Sequence, residues 1–248
     1  MRVVAVDWSG RKDASEAEHI WAAEVVDGRL VELRNGRTRA EVVEYLLDLG
    51  DAHLLVGLDF AFSLPSWWMR EQGHADVREL WAATVAHDVP PFFGTAGTKR
   101  PAPPRLYRRA DAALHGAGFR PKSPFQIGGA GAVGIGSLRG MPHLLALSER
   151  FSIWPFEPCG PRTVLEIYPR AFTGPVNKSR WAARHEHLFK HFPEQDAALL
   201  ERASGSEDAF DAAVSALALD REFSPQPAAT DPDIRLEGWA WAPGVLLP

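Results

Sequence analysis

Four segments of the chain carry carboxylates where a secondary-structure element would meet the core. They are Asp7 in VVAVDWSG, Asp59 in HLLVGLDF, Glu166 in TVLEIYP, and Asp208 with Asp211 in SEDAFDAAVSALALDRE. Carboxylates crowded together away from water repel, and take up protons unless a cation neutralises them. Mg²⁺ or Mn²⁺ suits that task, because hard cations take oxygen ligands and keep positions open for water and phosphate oxygens. Two such ions about 4 Å apart can activate an attacking water and stabilise the leaving oxygen of a phosphodiester. A plainer reading stands beside this one. Asp is common in turns, and two acids three apart near a helix N-terminus gain from its dipole.

The elements that must position these acids can be read from apolar patterning. Val3–Val6 is a short β-branched run closed by Ser9-Gly10, which predicts a buried strand with Asp7 at its C-terminal end. Open α/β sheets place ligands at such ends. Ala17–Val26 and Arg29–Leu33 are strand-like and joined by Asp27-Gly28, a hairpin signal. Thr38 and Glu41 form a capping box ahead of an amphipathic helix that ends near Gly50. His53–Phe60 then predicts a strand that delivers Asp59. A helical pattern runs from Pro65 to about His87. Residues 88–140 read as irregular and rich in Gly and Pro, with a short helix around Tyr107–His115; so long a loop is usually functional or mobile. Strands are expected at Phe151–Phe156 and Thr163–Pro169, and helices at about Ser179–His191 and Glu194–Ala203. Ser206 caps the final helix, where Phe210, Val214 and Leu217 form a core stripe beside Asp208 and Asp211. EGWAWAP predicts a short strand or a packing arm. No internal repeat or sharp domain boundary appears over residues 1–248, so a single domain with an insertion around 88–140 is expected.

The 248 residues are 46% hydrophobic and 24% charged, proportions ordinary for a soluble globular chain. Cys159 is the single cysteine, which excludes an internal disulfide. No signal-peptide core and no membrane-length apolar run is present, so a cytoplasmic protein without a membrane partner is the expectation. The formal charge of −5 argues against a nonspecific nucleic-acid binder, but its distribution is uneven. Lys99, Arg100, Arg105, Arg108, Arg109, Arg120 and Lys122 are opposed in their window only by Asp111, a net of +6 that leaves −11 elsewhere. Such a cluster can attract phosphates, or can be a solvated face.

Other signals carry less. Gly129, Gly131 and Gly134 match G-x-G-x-x-G but follow no clear strand, so a substrate-contacting lid is favoured over a dinucleotide site. His187 and His191 stand one helical turn apart, and a polar helix face explains them better than zinc. No nucleophile-elbow or Walker motif is present, and Cys159 has no evident partner. Trp67, Trp68 and Trp81 could stack on bases, but their spacing favours core packing.

The order VVAVDWSG, VGLDFAFSLP, EIYPRAF and DAFDAAVSALA resembles domain-of-unknown-function family 429, a family of predicted nucleases in the ribonuclease H-like superfamily. The similarity spans about Val3 to Trp241. It implies a mixed central sheet flanked by helices, with the first three strands antiparallel, the remainder parallel, and the first and fourth side by side in the centre. Carried over, Asp7 would be the central metal ligand, Asp59 its neighbour and Glu166 a third acid. Asp208 and Asp211 are similar to the D-x-x-D of RuvC-type Holliday-junction resolvases, with Asp211 the better match. The implied activity is metal-dependent hydrolysis of DNA or RNA, with Lys99, Arg100, Arg105, Arg108, Arg109 and Lys122 on substrate phosphates. The alternatives are an actin-like or sugar-kinase-like phosphotransferase, for which the chain looks short, and a catalytically silent nucleic-acid-binding module.

Overall fold

The computed structural model describes residues 1–12, 16–87, 91–98, 102–129 and 132–248. Its centre is one seven-stranded mixed sheet. β1 (Arg2–Asp7), β2 (Trp21–Val26) and β3 (Arg29–Arg34) run antiparallel, and β2 turns into β3 through Asp27 and Gly28, both at positive φ (48° and 80°). That is the twist a two-residue hairpin needs. The strand signal in Ala17–Val26 is realised only from Trp21. Residues Glu16–His19 instead form a 3-10 turn, whose Glu16 pairs with Arg39 at 2.8 Å.

On its other edge β1 pairs in parallel with β4 (Leu54–Leu58), and β4 pairs in parallel with β6 (Arg162–Ile167). β5 (Ser152–Trp154) lies parallel to β6 at Thr163–Leu165, and β7 (Ala240–Trp241) at Glu166–Ile167. The order β3-β2-β1-β4-β6-β5 places β1 and β4 side by side in the middle.

Helices cover both faces. Val4, Val6, Leu54, Val56, Leu58 and Val164 pack with α1 (Arg39–Asp48), α3 (Val77–Val85) and α5 (Val133–Leu147). The capping box of Thr38 and Glu41 starts α1. The pattern read as one helix from Pro65 is two, α2 (Ser66–Glu71) and α3, broken over residues 72–76. Trp68 and Trp81 are buried in this layer, and the Trp81 indole donates to the Phe62 carbonyl. α4 (Arg109–Gly116) is the short helix expected near Tyr107.

The irregular stretch is shorter than expected, because α5 begins at Val133. Gly134, Gly136, Gly140 and Pro142 hid it, being poor helix formers. Three of those glycines instead permit contact. A Cβ on Gly134 would meet the Pro124 carbonyl oxygen at 2.2 Å, and one on Gly140 would meet the Phe60 ring at 2.6 Å. Gly136 packs on Gly10, where an added Cβ would come within 2.8 Å of the Gly136 nitrogen.

The opposite face of the sheet, with Val3, Ala5, Leu55, Leu165 and Ile167, receives the second helical layer. It contains α6 (Pro169–Thr173), α7 (Trp181–His191), α8 (Ala197–Ser204) and α9 (Glu207–Glu222), while α10 (Ile234–Glu237) precedes β7. Ser206 caps α9, accepting from the Ala209 amide at 3.0 Å. The stripe of Phe210, Val214 and Leu217 understates this helix, because every residue from Ala209 to Leu219 is buried. Its alanines let it lie close to the sheet, and Gly57 makes room in β4: a Cβ there would sit 2.7 Å from Leu219 Cδ1. Burying the three large apolar side chains alone contributes about 1.5–3 kcal/mol each. Among the described residues no helix is long and apolar enough to cross a membrane.

Candidate active site

β1, β4 and β6 are parallel, so their carboxyl ends open on the same edge of the sheet. Val6 is the register partner of Leu58; Asp7 and Asp59 follow them, and the Asp59 amide donates to the Val6 carbonyl at 3.1 Å. Side chains alternate along a strand. Asp7 therefore shares the side of Val3 and Ala5, the side on which α9 lies. Asp211, five residues into α9, is buried there.

The three aspartates feel one another. Burial, reinforced by the charges of Asp59, Asp211 and Asp208, pushes the Asp7 carboxyl well above the ordinary carboxylate range. Burial and the charges of Asp211, Glu166 and Asp208 push Asp59 up to about 8. Burial also raises Asp211, against the opposing charge of Lys178. Lys178 Nζ donates to Asp211 Oδ2, while Asp211 Oδ1 is buried with no hydrogen-bond partner among the described residues. Asp208 is more exposed, at the rim, with its carboxylate 3.6 Å from His19 Nδ1.

Glu166 stands apart from the aspartates. It pairs in register with Leu58 and shares the side of Val164, so it points into the other layer. Arg108 Nη1 and Nη2 donate to its two oxygens at 2.8 and 2.5 Å, and the Phe62 amide donates to Oε2 at 2.9 Å. Arg108 is pinned a second time by Asp111, at 3.0 Å. Burial disfavours the Arg108 charge, but Asp111 and Glu166 outweigh it and hold its pKa well above the usual value. Arg108 is therefore an internal tie and not a surface contact for phosphate.

The other basic residues are dispersed. Arg109 pairs with Asp231 at 2.6 Å, and its amide donates to the buried Glu237. Arg105 is exposed, and its carbonyl accepts from the Trp67 indole at 2.8 Å. Lys122 is exposed and lines the cleft. Lys99 and Arg100 lie outside the described residues, as does Gly131.

The cleft itself has a volume of about 890 Å³. Asp59, Asp211 and Glu166 line it together with Lys178, Arg170, Arg120 and Lys122, whereas Asp7 does not. The start of α5, at Ala132 and Val133, and the Tyr168 ring line it as well. Burial and the nearby Asp59 push the Tyr168 hydroxyl up to about 12. His187 and His191 are not part of this lining. Their rings lie 4.5 Å apart on α7, and His187 packs against Phe210.

Lys178, Arg170 and Tyr168 escaped the sequence reading. The signal available was position, since all three follow Glu166 within a dozen residues, around the Gly174-Pro175 turn. Asp111 was visible only as a lone acid in a basic window. Its spacing of three from Arg108 is the signature of a helical ion pair.

Among the described residues no group of three His, Cys, Asp or Glu side chains is arranged to hold a metal ion. Lys178 occupies one oxygen of Asp211, and Arg108 occupies both of Glu166. The donor chemistry of the aspartates nevertheless fits a hard cation. They offer oxygen ligands only, they crowd one another, and one buried oxygen of Asp211 has no partner among the described residues. Comparisons of the chain with protein-family models, with curated proteins and with solved structures return no match.

Proposed function

We propose that this protein is a metal-dependent phosphodiesterase of the ribonuclease H-like kind, related to domain-of-unknown-function family 429 and acting on DNA or RNA. The observation that carries the reading is the meeting of Asp7 and Asp59, successive to a parallel register pair, with Asp211 of α9, two of which, Asp59 and Asp211, line a cleft. The mixed sheet with β1 beside β4 supports the fold assignment.

Asp7, Asp59 and Asp211 would hold Mg²⁺ or Mn²⁺, with Asp208 beside them. When bound, such an ion activates water and neutralises charge on the phosphoryl oxygens. The chain's own residues do the rest. Lys178, Arg170, Arg120 and Lys122 give the cleft cationic groups that can orient a phosphodiester. Glu166 acts indirectly: by accepting from both the Phe62 amide and Arg108 it ties β6 to the segment that follows Asp59. The volume of the cleft suits a segment of one or two nucleotides, within the range of small-ligand sites.

The test is hydrolysis of labelled oligonucleotides with Mn²⁺ or Mg²⁺ by the wild type and by Asp7→Asn. Cleavage lost in a variant that keeps the native circular dichroism supports the reading, and a fully active variant sinks it. The salt link between Lys178 and Asp211 favours one other reading, a module that binds nucleic acid without cutting it. That module would bind in a salt-sensitive way, unaffected by chelator.

A further inference from the structure

Asp7, Asp59 and Asp211 all feel the ammonium of Lys178. Lys178 Nζ donates to Asp211 Oδ2, and its charge opposes those of the acids at all three aspartates. The backbone that carries it is held firmly. Arg170 Nη1 donates to the Val176 carbonyl at 2.7 Å, and Arg184 Nη1 donates to the carbonyl of Lys178 itself. Arg184 is buried, and its Nε donates to the Ser204 carbonyl at 2.9 Å. Two arginines thus fix a loop whose lysine reaches α9, and the Lys178 side chain is only 21% exposed.

One ammonium is an incomplete partner for this cluster. It supplies one positive charge against three crowded carboxyls, and leaves Asp211 Oδ1 buried and, among the described residues, unpartnered. A divalent ion would supply twice the charge and could take both kinds of oxygen, but it would repel an ammonium on the same carboxylate. We infer that Lys178 is a resident counter-cation. It stands in for part of an ion's charge in the ion-free protein, yields Asp211 when the ion enters, and so sets the concentration at which the site loads. The inference rests on the metal site of the phosphodiesterase reading and adds a positioning residue that competes with the ion.

The experiment compares wild type, Lys178→Met and Lys178→Arg by calorimetric titration with Mn²⁺ and by thermal unfolding in chelator and in millimolar Mn²⁺. Lys178→Gln is carried as a second neutral variant should the methionine protein fail to fold. The neutral variant is expected to unfold earlier than wild type in chelator and to bind Mn²⁺ about tenfold more tightly. Lys178→Arg, which keeps the charge, should track wild type in both. Equal or weaker Mn²⁺ binding by the neutral variant overturns the inference while leaving the metal reading intact, as does an arginine variant that tightens like the neutral one. If Mn²⁺ neither binds nor stabilises wild type or the neutral variant, the metal reading falls and this inference with it.

Discussion

Arg108 reaches Glu166 with both arms of its guanidinium, at 2.5 and 2.8 Å, and both side chains are buried. With Asp111 on the third side, this is a closed ionic tie beneath the cleft. Removing one member of such a tie strands the others without water. Arg108→Met is therefore expected to cost about 3–5 kcal/mol of stability, read from the midpoint of urea unfolding. Arg105→Ala, at an exposed position, serves as the control near zero. A loss in Arg108→Met no larger than in the control would mean that the guanidinium is not committed to the core.

The raised carboxyl of Asp59 predicts an unusual pH profile for the ion-free protein. Its native pKa of about 8 exceeds the ordinary value of 3.8, so between those limits the folded state binds more protons than the unfolded state. Its contribution to stability is then full below about pH 4 and is lost as pH rises through about 8. Thermal unfolding across that window in chelator should show this fall, superimposed on the opposite trend of ordinary paired carboxylates. Millimolar Mn²⁺ should flatten it. A profile identical with and without the ion would contradict the shared site.

The same crowding separates stability from activity. Asp7→Asn removes one of three crowded carboxyls whose ionisation the fold disfavours, and at neutral pH should raise ion-free stability by about 1 kcal/mol or more, even as the proposed cleavage is lost. Denaturant unfolding in chelator measures the gain. A destabilised Asp7→Asn protein would show that the Asp7 carboxylate is satisfied by partners and not strained by neighbours.

Gly57 predicts how closely α9 must approach. An added Cβ would sit 2.7 Å from Leu219 Cδ1 and 2.9 Å from Ile167 Cγ2. Gly57→Ala should cost about 1–3 kcal/mol through overpacking, although alanine is otherwise the less costly residue within a strand. Because α9 carries Asp211, ion affinity should fall together with the thermal midpoint. Unchanged affinity in a destabilised variant would show that the helix position tolerates the shift.

The cationic rim makes a prediction about ionic strength. Lys122 and Arg120 line the cleft, whereas Arg109 is paired with Asp231. Lys122→Ala and Arg120→Ala should each reduce the slope of log affinity against log salt by about one for an oligonucleotide. Arg109→Ala should leave the slope nearly unchanged. The ranking of the three variants, measured by fluorescence anisotropy, is the test.

The parts of the fold that were legible from sequence are those whose signals are local. The Asp27-Gly28 turn, the Thr38–Glu41 box and the Ser206 cap each announce an element through residues a few positions apart. The individual strands follow from apolar runs of strand length, whereas their mixed pairing was expected only from the family resemblance. α5 was not legible, because its glycines answer to Pro124, Gly10 and Phe60, partners invisible in a local window. In the site, the acids were visible as types on elements, but their grouping depends on register. Asp7 and Glu166 look equivalent in sequence, yet they fall on opposite sides of the sheet, and only pairing through Leu58 reveals it. Arg108 misled for a related reason: in a basic window it reads as surface, and its partner Glu166 is 58 positions away.

The aspartates at positions 7, 59 and 211 come from nearly the full span of the chain, and the helix that brings the last of them is buried along its whole middle. The part of their repulsion that involves Asp211 therefore requires α9 to be docked on the sheet, whereas that between Asp7 and Asp59 needs only β1 beside β4. Contacts that form late in folding govern how fast a protein opens and not how fast it closes. Relieving the share of it that α9 brings, by Asp211→Asn, should lengthen the lifetime of the native state while the refolding rate stays where it was.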